Sequence, residues 1–216
     1  MGRNSKYIAL VALTIAIIGL GIGFASYTRT LTISSSATVN PVDTFDVILT
    51  PTTNGSCTTP GTGSSVAPTK SPTTLTTTNA VIANTGSGAP KATNLSVDFT
   101  APGQNVVYKF CAYNNSTYTA YLNAVTVGSV SCSVASGSQA TSGLVTSACT
   151  GISATLNIAG TNYTSTNNNI SSHTLGAGTA ELVTLTISYA NGSALADGAF
   201  VVNIGDFALK YDTLEL

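Results

Sequence analysis

The sequence has few charged side chains and no tryptophan. Of its 216 residues, 7 are Lys or Arg, 8 are Asp or Glu and one is His. So little positive charge leaves no basic surface for nucleic acid. A single His also cannot supply the paired His ligands of the common zinc hydrolases. The sequence therefore predicts no nucleic-acid partner, no cofactor and no metal.

Catalytic motifs are missing as well. The two glutamates are Glu181 and Glu215, and no HExxH motif occurs. Any Ser or Cys nucleophile would depend on His173 alone as its base. His173 lies in a polar Asn/Ser stretch, so we expect that the protein is not an enzyme.

The acidic residues form only loose pairs. Asp43 with Asp46 and Asp206 with Asp212 are close in sequence, a spacing typical of turns and strand edges. A Ca²⁺ site at Asp43, Asp46 or Asp197 has no EF-hand spacing to support it.

Hydroxyl side chains replace the missing charges. The chain has 36 Thr and 25 Ser, so its surface is predicted to be hydroxyl and amide rather than ionic. Thr, Val, Ile and Tyr favour strands, whereas Gly, Asn, Ser and Pro favour the turns between them. This composition favours sheet over helix.

The N-terminus has the pattern of an export signal. Arg3 and Lys6 precede an apolar run at residues 7–24, and Gly23-Phe24-Ala25 is a small-x-small cleavage site. We predict a signal peptide at residues 1–25, so the membrane is a partner only through residues 7–24 before cleavage. Because 18 residues are also near the lower limit for a membrane span, a retained anchor is the alternative.

Residues 26–39 follow the export signal and alternate as a strand. One face carries Leu31, Ile33, Ala37 and Val39, and the other carries hydroxyl side chains. A strand at the free end of an exported chain can complete the sheet of another copy. The central hypothesis is that these four residues form a donated strand in a filament of identical subunits; the alternative is an ordinary first strand of the chain's own β-sandwich domain, which is predicted at residues 40–216.

Four cysteines, Cys57, Cys111, Cys132 and Cys149, lie downstream of the export signal. An even number in an oxidising compartment predicts two disulfides, with three possible connectivities. The short, turn-rich loop favours Cys132 with Cys149, which leaves Cys57 with Cys111. A zinc site is the rival interpretation, but no pair has CxxC spacing.

Short alternating segments recur along the rest of the chain. They are residues 44–50, 75–83, 94–99, 105–113, 118–127, 130–134, 152–158, 181–189 and 200–211. The segment 118–127 is predicted as the hairpin partner of 105–113, and the polar region 128–169 as an insertion or elaborated edge. No amphipathic helix of ten or more residues is predicted after residue 25. The fold class is therefore all-β, a β-sandwich of the jelly-roll type.

Three stretches together resemble a known family. The N-terminal one reads KYIALVALTIAIIGLGIGFASYTRTLTISSSATVNPVDTFDVIL, and the others read NLSVDFTAPGQNVVYKFCAYNNSTYTAYLNAVTVG and ELVTLTISYANGSALADGAFVVNIGDFALKY. They resemble TasA-like/camelysin-like secreted fibre proteins, most closely the subunits of archaeal bundling pili. The resemblance implies a jelly-roll sandwich that polymerises head-to-tail by donated N-terminal strands, with lateral bundling of neighbouring filaments. The region 128–169 departs from the shorter bacterial versions.

The predicted function is a structural subunit of an extracellular cell-surface filament, either a bundling pilus or a biofilm matrix fibre. The alternative is a monomeric or membrane-anchored adhesion or carbohydrate-binding module, for which Tyr113, Tyr118 and Tyr121 are the one tight aromatic cluster.

Seven N-x-S/T sequons occur in the chain. Asn114, Asn162 and Asn191 lie at predicted turns and are the favoured glycosylation acceptors.

Overall fold

The computed structural model describes residues 45–84 and 88–215. In chain order its strands are β1 (Val47–Pro51), β2 (Ser65–Val66), β3 (Thr69–Ser71), β4 (Thr76–Thr77), β5 (Ala80–Ala83), β6 (Lys91–Thr93), β7 (Leu95–Phe99), β8 (Asn105–Asn114), β9 (Ala120–Thr126), β10 (Val130–Val134), β11 (Ile152–Ile158), β12 (Thr161–Tyr163), β13 (Thr174–Leu175), β14 (Ala180–Tyr189), β15 (Phe200–Ile204) and β16 (Phe207–Asp212). A helix, α1 (Ser142–Cys149), lies between β10 and β11.

The first layer is one antiparallel sheet with the strand order β1, β8, β14, β11, β12. The strand β3 pairs with β8 further along the same side as β1. In the central strands β8 and β14, buried apolar side chains alternate with less buried ones, which are mostly hydroxyl residues in β14 and mixed in β8, so one face of the layer is buried and the other is more exposed.

The second layer consists of two sheets built from the same four chain segments. One has the order β10, β15, β7, β4, and the other contains β9, β16, β6 and β5 in the matching order. The segments bend together between the two sheets. Gly128 is needed at this bend because a Cβ atom there would lie 2.1 Å from the carbonyl oxygen of Gly205.

Aromatic rings from both layers meet in the core. Phe110 of β8 contacts Phe207 of β16 edge-on, with 5.0 Å between ring centroids. Phe99 of β7 lies 5.9 Å from Tyr189 of β14. The predicted all-β sandwich is therefore confirmed, with its hydrophobic core between the two layers.

The chain changes layer at most of its long connections, as in a jelly roll. It passes from β7 in the second layer to β8 in the first, then to β9 and β10 in the second, to β11 in the first, and from β14 back to β15 in the second.

One predicted pairing is wrong. The segment 118–127 contains β9, which pairs with β16 and β13 in the opposite layer and not with β8. Of the two interpretations of the region 128–169, the structure agrees with the elaborated edge and not with an insertion, because β10 forms an edge of the second layer and β11 and β12 form an edge of the first.

Both disulfides tie peripheral segments to the sandwich. Cys57, in the loop after β1, is bonded to Cys111 of β8. Cys132 of β10 is bonded to Cys149 at the end of α1. These are the two pairs that the sequence favours, and they indicate an oxidising compartment.

The predicted signal peptide (1–25) and donor strand (26–39) lie outside the described residues. Among residues 45–84 and 88–215, no helix is long and apolar enough to cross a membrane.

Candidate functional site

Two strand edges lie unpaired on the same side of the sandwich. The strand β10 pairs with β15 on one side, and no described strand pairs with its other side. In β11, residues 156–158 pair with β12, whereas residues 152–155 pair only with β14. An unpaired strand edge presents N–H and C=O groups that can bond another strand.

An apolar groove of about 420 Å³ lies between these two edges. We call it the seam; its lining residues are 127–130, 152–154 and 164–166. Val127, Val130 and Ile152 are half-buried in the seam and pack against the core from opposite layers. The seam contains no charged side chain.

The edge of β1, in contrast, is closed by its own chain. The side-chain amide of Asn84 bonds the backbone of Leu49 twice: the Leu49 N–H donates to Oδ1 at 2.8 Å, and Nδ2 donates to the Leu49 carbonyl at 2.9 Å. The next outward-facing carbonyl, that of Pro51, accepts a bond from the Gly61 N–H at 2.8 Å. An incoming strand would have to displace these groups.

A second cavity, of about 510 Å³, lies beside β8 between β1 and β3. Its lining is mostly hydroxyl, amide and backbone atoms, with Lys109 as the one charged side chain. It has no row of apolar side chains that would match the face of a strand.

The lone His belongs to a polar cluster near one end of the sandwich. His173 Nε2 lies 2.9 Å from Glu181 Oε2, and the Tyr211 hydroxyl donates to Glu181 Oε1 at 2.7 Å. The hydrogen bond to Glu181 raises the pKa of His173, although burial acts in the opposite direction. Burial, and then the Glu181 charge, raise the pKa of Tyr211 well above its ordinary value.

This cluster does not form a metal centre. Within residues 45–84 and 88–215, no group of three or more His, Cys, Asp or Glu side chains is arranged to hold a metal ion.

The other acidic residues act locally where they are described. Asp206 forms an exposed ion pair with Lys91 at 3.3 Å, and Asp212 Oδ1 accepts a bond from the Thr213 N–H at 2.7 Å. Asp197 is exposed in a turn with a positive φ of 56°. Asp46 contributes its backbone carbonyl, which accepts from the Asn115 N–H, and Asp43 lies outside the described residues.

Asn114, a predicted glycosylation acceptor, is not accessible in the folded protein. Its side chain is fully buried: Nδ2 donates to the carbonyls of Tyr118 and Leu175, and Oδ1 accepts from the N–H and hydroxyl of Ser116. All four hydrogen-bonding positions of the amide are occupied, so Asn114 is a structural residue. Asn115, Asn162 and Asn191 are exposed.

The aromatic cluster does not form a platform. Tyr113 lies in β8 of the first layer, Tyr121 lies in β9 of the second, and Tyr118 is 49% exposed in the loop between them. None of the ring contacts among the described residues joins these three side chains.

The predicted donor residues Leu31, Ile33, Ala37 and Val39 lie outside the described residues. Sequence reasoning did not identify the seam or the closure of β1. The sequence signal for the seam is that β10 and the start of β11 carry apolar side chains at only some of their positions.

Comparison of the chain with protein-family models, with curated proteins and with solved structures finds no match in any of the three.

Proposed function

We propose that this protein is a structural subunit of an extracellular filament, a bundling pilus or biofilm matrix fibre, in which residues 26–39 of one copy complete the sandwich of the next. The observation that carries the proposal is the seam: two unpaired strand edges face an uncharged apolar groove. An enzymatic role forms no part of it.

A donated strand would both pair with an open backbone edge of the seam and cover its apolar side chains. Its backbone would pair with the free side of β10 or of residues 152–155. Its apolar face would cover Val130 and Ile152, which remain half-buried in the subunit alone. Because strand side chains alternate, a slip of one residue would turn hydroxyl groups into the groove, which makes the correct register the favoured one.

The chemistry of residues 30–39 matches the seam. This segment contains no charged residue, and neither does the lining of the seam. Covering Leu31 and Ile33 would contribute about 3–6 kcal/mol, at about 1.5–3 kcal/mol for each large aliphatic side chain.

The closed edge of β1 favours exchange between copies. Residues 26–39 precede β1 in the chain, yet Asn84 and Gly61 already occupy the free side of that strand. A strand that is given to one neighbour and received from another makes a head-to-tail contact, which propagates into a filament.

The surface of the sandwich fits an assembled, exported protein. The outward side chains of β14 include Thr184, Thr186 and Ser188, which offer hydrogen bonds for lateral bundling without charge repulsion. Exposed Asn162 and Asn191 are the predicted glycan acceptors that remain.

Charges placed in the seam test the proposal. We expect the Val130→Asp and Ile152→Asp variants to keep both disulfides and a β-sheet circular dichroism spectrum, but to form no filaments in electron micrographs. The matched control is Val81→Asp, because Val81 is 42% exposed in β5 and lies away from the seam; it should polymerise like the wild type.

Normal filaments from both seam variants would contradict the proposal. A wild-type mature protein that stays monomeric would favour the alternative of a monomeric or membrane-anchored surface module.

A further inference from the structure

A segment of the chain itself covers half of the edge that borders the seam. We call residues 164–175 the strap. β9 and β10 follow each other along one edge of the second layer; the strap lies along β9, whereas no described strand pairs with the outer side of β10. The first residues of the strap, 164–166, also line the seam, so the strap and the seam are continuous.

The strap pairs with β9 irregularly. Backbone bonds join Asn167 to Val125 in both directions at 2.8 Å, and the Leu122 N–H donates to His173 at 3.0 Å. Between them, the Ile170 N–H donates to Asn123 at 3.1 Å. These contacts recur every three residues along the strap, whereas a regular strand bonds with a period of two. Only the two residues of β13 form a strand.

Packing under the strap is also incomplete. Ile170 and Leu175 are its buried side chains, at 6% and 4% exposure, and residues 164–169 are exposed. The carbonyl of Asn123 in β9 bonds the strap, whereas its buried side chain donates through Nδ2 to Leu214 of the C-terminal tail at 3.1 Å and has no hydrogen-bond partner for Oδ1 among the described residues. A buried acceptor without a partner is costly, so a strand that brought a hydroxyl donor to Oδ1 would gain a hydrogen bond that the strap does not make.

Length decides where a donated strand can lie. Residues 30–39 span about 33 Å when extended, at about 3.3 Å per residue. The strand β10 has only 5 residues and contacts α1, so its outer side can pair with at most about half of such a donor. The other open edge, residues 152–155 of β11, is shorter still. Pairing the rest of the donor along the edge of β10 requires the adjoining edge of β9, which the strap occupies.

We propose that the strap is a placeholder, and that residues 30–39 of a second copy displace it from β9 during assembly. This inference rests on the proposed filament function and adds to it the identity of the displaced segment. In the subunit alone, the strap covers Leu122 and Val125 and shields an edge that would otherwise bind other strands. In the filament, the donor replaces the strap with regular pairing and supplies Thr32, Ser34, Ser36 or Thr38 as a hydroxyl donor for Asn123.

Noncovalent contacts hold the strap on the sandwich. The Ser172 N–H donates to Glu215 in the exposed C-terminal tail at 2.9 Å. The His173–Glu181 pair is largely buried, and the Leu175 carbonyl accepts a bond from Nδ2 of the buried Asn114 at 2.9 Å, so displacement has to break both of these contacts. Neither disulfide holds the strap, since the bonded cysteines are at positions 57, 111, 132 and 149.

A reversible covalent lock tests the displacement. Tyr121 and Thr174 are direct cross-strand partners, and the adjacent Leu122–His173 pair carries the backbone bond, so residues 121 and 174 form the close, non-hydrogen-bonded pair. The double variant Tyr121→Cys/Thr174→Cys should therefore form a disulfide that holds the strap on β9. Peptide mapping would verify this bond and the two native ones.

Added to wild-type seeds, the locked protein should stop filament growth, and selective reduction of the new bond should restore it. Thr174→Cys alone is the matched control and should elongate seeds like the wild type. If the locked protein elongates seeds at the wild-type rate, the displacement is wrong while the filament function stands. If the wild type itself forms no filament in the same experiment, the proposed function has failed.

Hydrogen exchange gives an independent readout. In filaments, the amides of Leu122 and Val125 should stay protected because the donor replaces the strap, whereas the amides of Asn167 and Ile170 should exchange faster than in the monomer. Unchanged protection of Asn167 and Ile170 on assembly would overturn the proposal.

Discussion

Replacing Asn114 with Ala should destabilise the sandwich strongly, although Asn114 belongs to a glycosylation sequon. Its amide bonds the Leu175 carbonyl at 2.9 Å and the Ser116 N–H at 3.1 Å, and the Asn114 and Ser116 side chains are buried. The substitution leaves these two groups without partners. Each buried orphan costs about 1–3 kcal/mol, so the free energy of unfolding should fall by about 2–6 kcal/mol.

Asn115→Ala is the matched control. Asn115 is exposed, and its backbone bond to the Asp46 carbonyl does not depend on its side chain. The free energy of unfolding of the Asn115→Ala variant should differ from that of the wild type by no more than about 0.5 kcal/mol. Both values come from urea unfolding curves under oxidising conditions. If the two variants lie within about 1 kcal/mol of each other, the structural role assigned to Asn114 is refuted.

Three further predictions concern stability. The pKa of His173 is raised in the folded state, so its bond to Glu181 contributes its full stabilisation below the unfolded pKa of about 6.5 and loses it as the pH rises through the folded pKa. In thermal unfolding, His173→Gln should therefore cost about 1.5–3 kcal/mol at pH ~5.5 and less at pH ~8.5. An equal cost at both pH values would contradict the assignment. Replacing both cysteines of a disulfide by Ser should cost about 4 kcal/mol for Cys57–Cys111 and about 3 kcal/mol for Cys132–Cys149, because a disulfide that closes a longer loop removes more entropy from the unfolded chain and the sequence separations are 54 and 17. A larger cost for Cys132–Cys149 in denaturant unfolding would refute this explanation. Asn84→Leu should lower the free energy of unfolding by about 1–3 kcal/mol, because it leaves the Leu49 backbone unpaired. The opened edge of β1 should also increase self-association in sedimentation velocity. A variant as monomeric and stable as the wild type would argue against edge closure by Asn84.

The positions of most long strands follow directly from the sequence. In the segments that form β8 and β14, buried apolar side chains alternate with less buried ones, so the alternation in the sequence predicts which face is buried. Burial is harder to predict for edge strands. In β10, Ser131 and Ser133 are exposed and Val134 is 38% exposed, because only one side of the strand meets the core.

Strand pairing does not follow from the sequence in the same way. The Asn114-Asn115-Ser116 turn indicates a reversal of the chain, but not whether the next strand stays in its layer. Here β9 crosses to the second layer and pairs with β16, about 85 residues further along the chain. Sequence separation of this size leaves no local signal.

The candidate site depends on tertiary contacts. Asn84 closes the edge of β1 from 35 residues away, and no local pattern predicts that contact. Likewise, Asn114 and Asn115 belong to overlapping sequons and the sequence favours Asn114 as the acceptor, yet the fold buries Asn114 and exposes Asn115.

Electron microscopy of the mature chain beside a chain that begins at Asn40 tests the central claim most directly. The account predicts filaments from the mature protein and none from the shortened one, which should instead bind one synthetic peptide of residues 26–39 per subunit. Filaments of normal form from the shortened chain would contradict the account, because they would assemble without the donated strand.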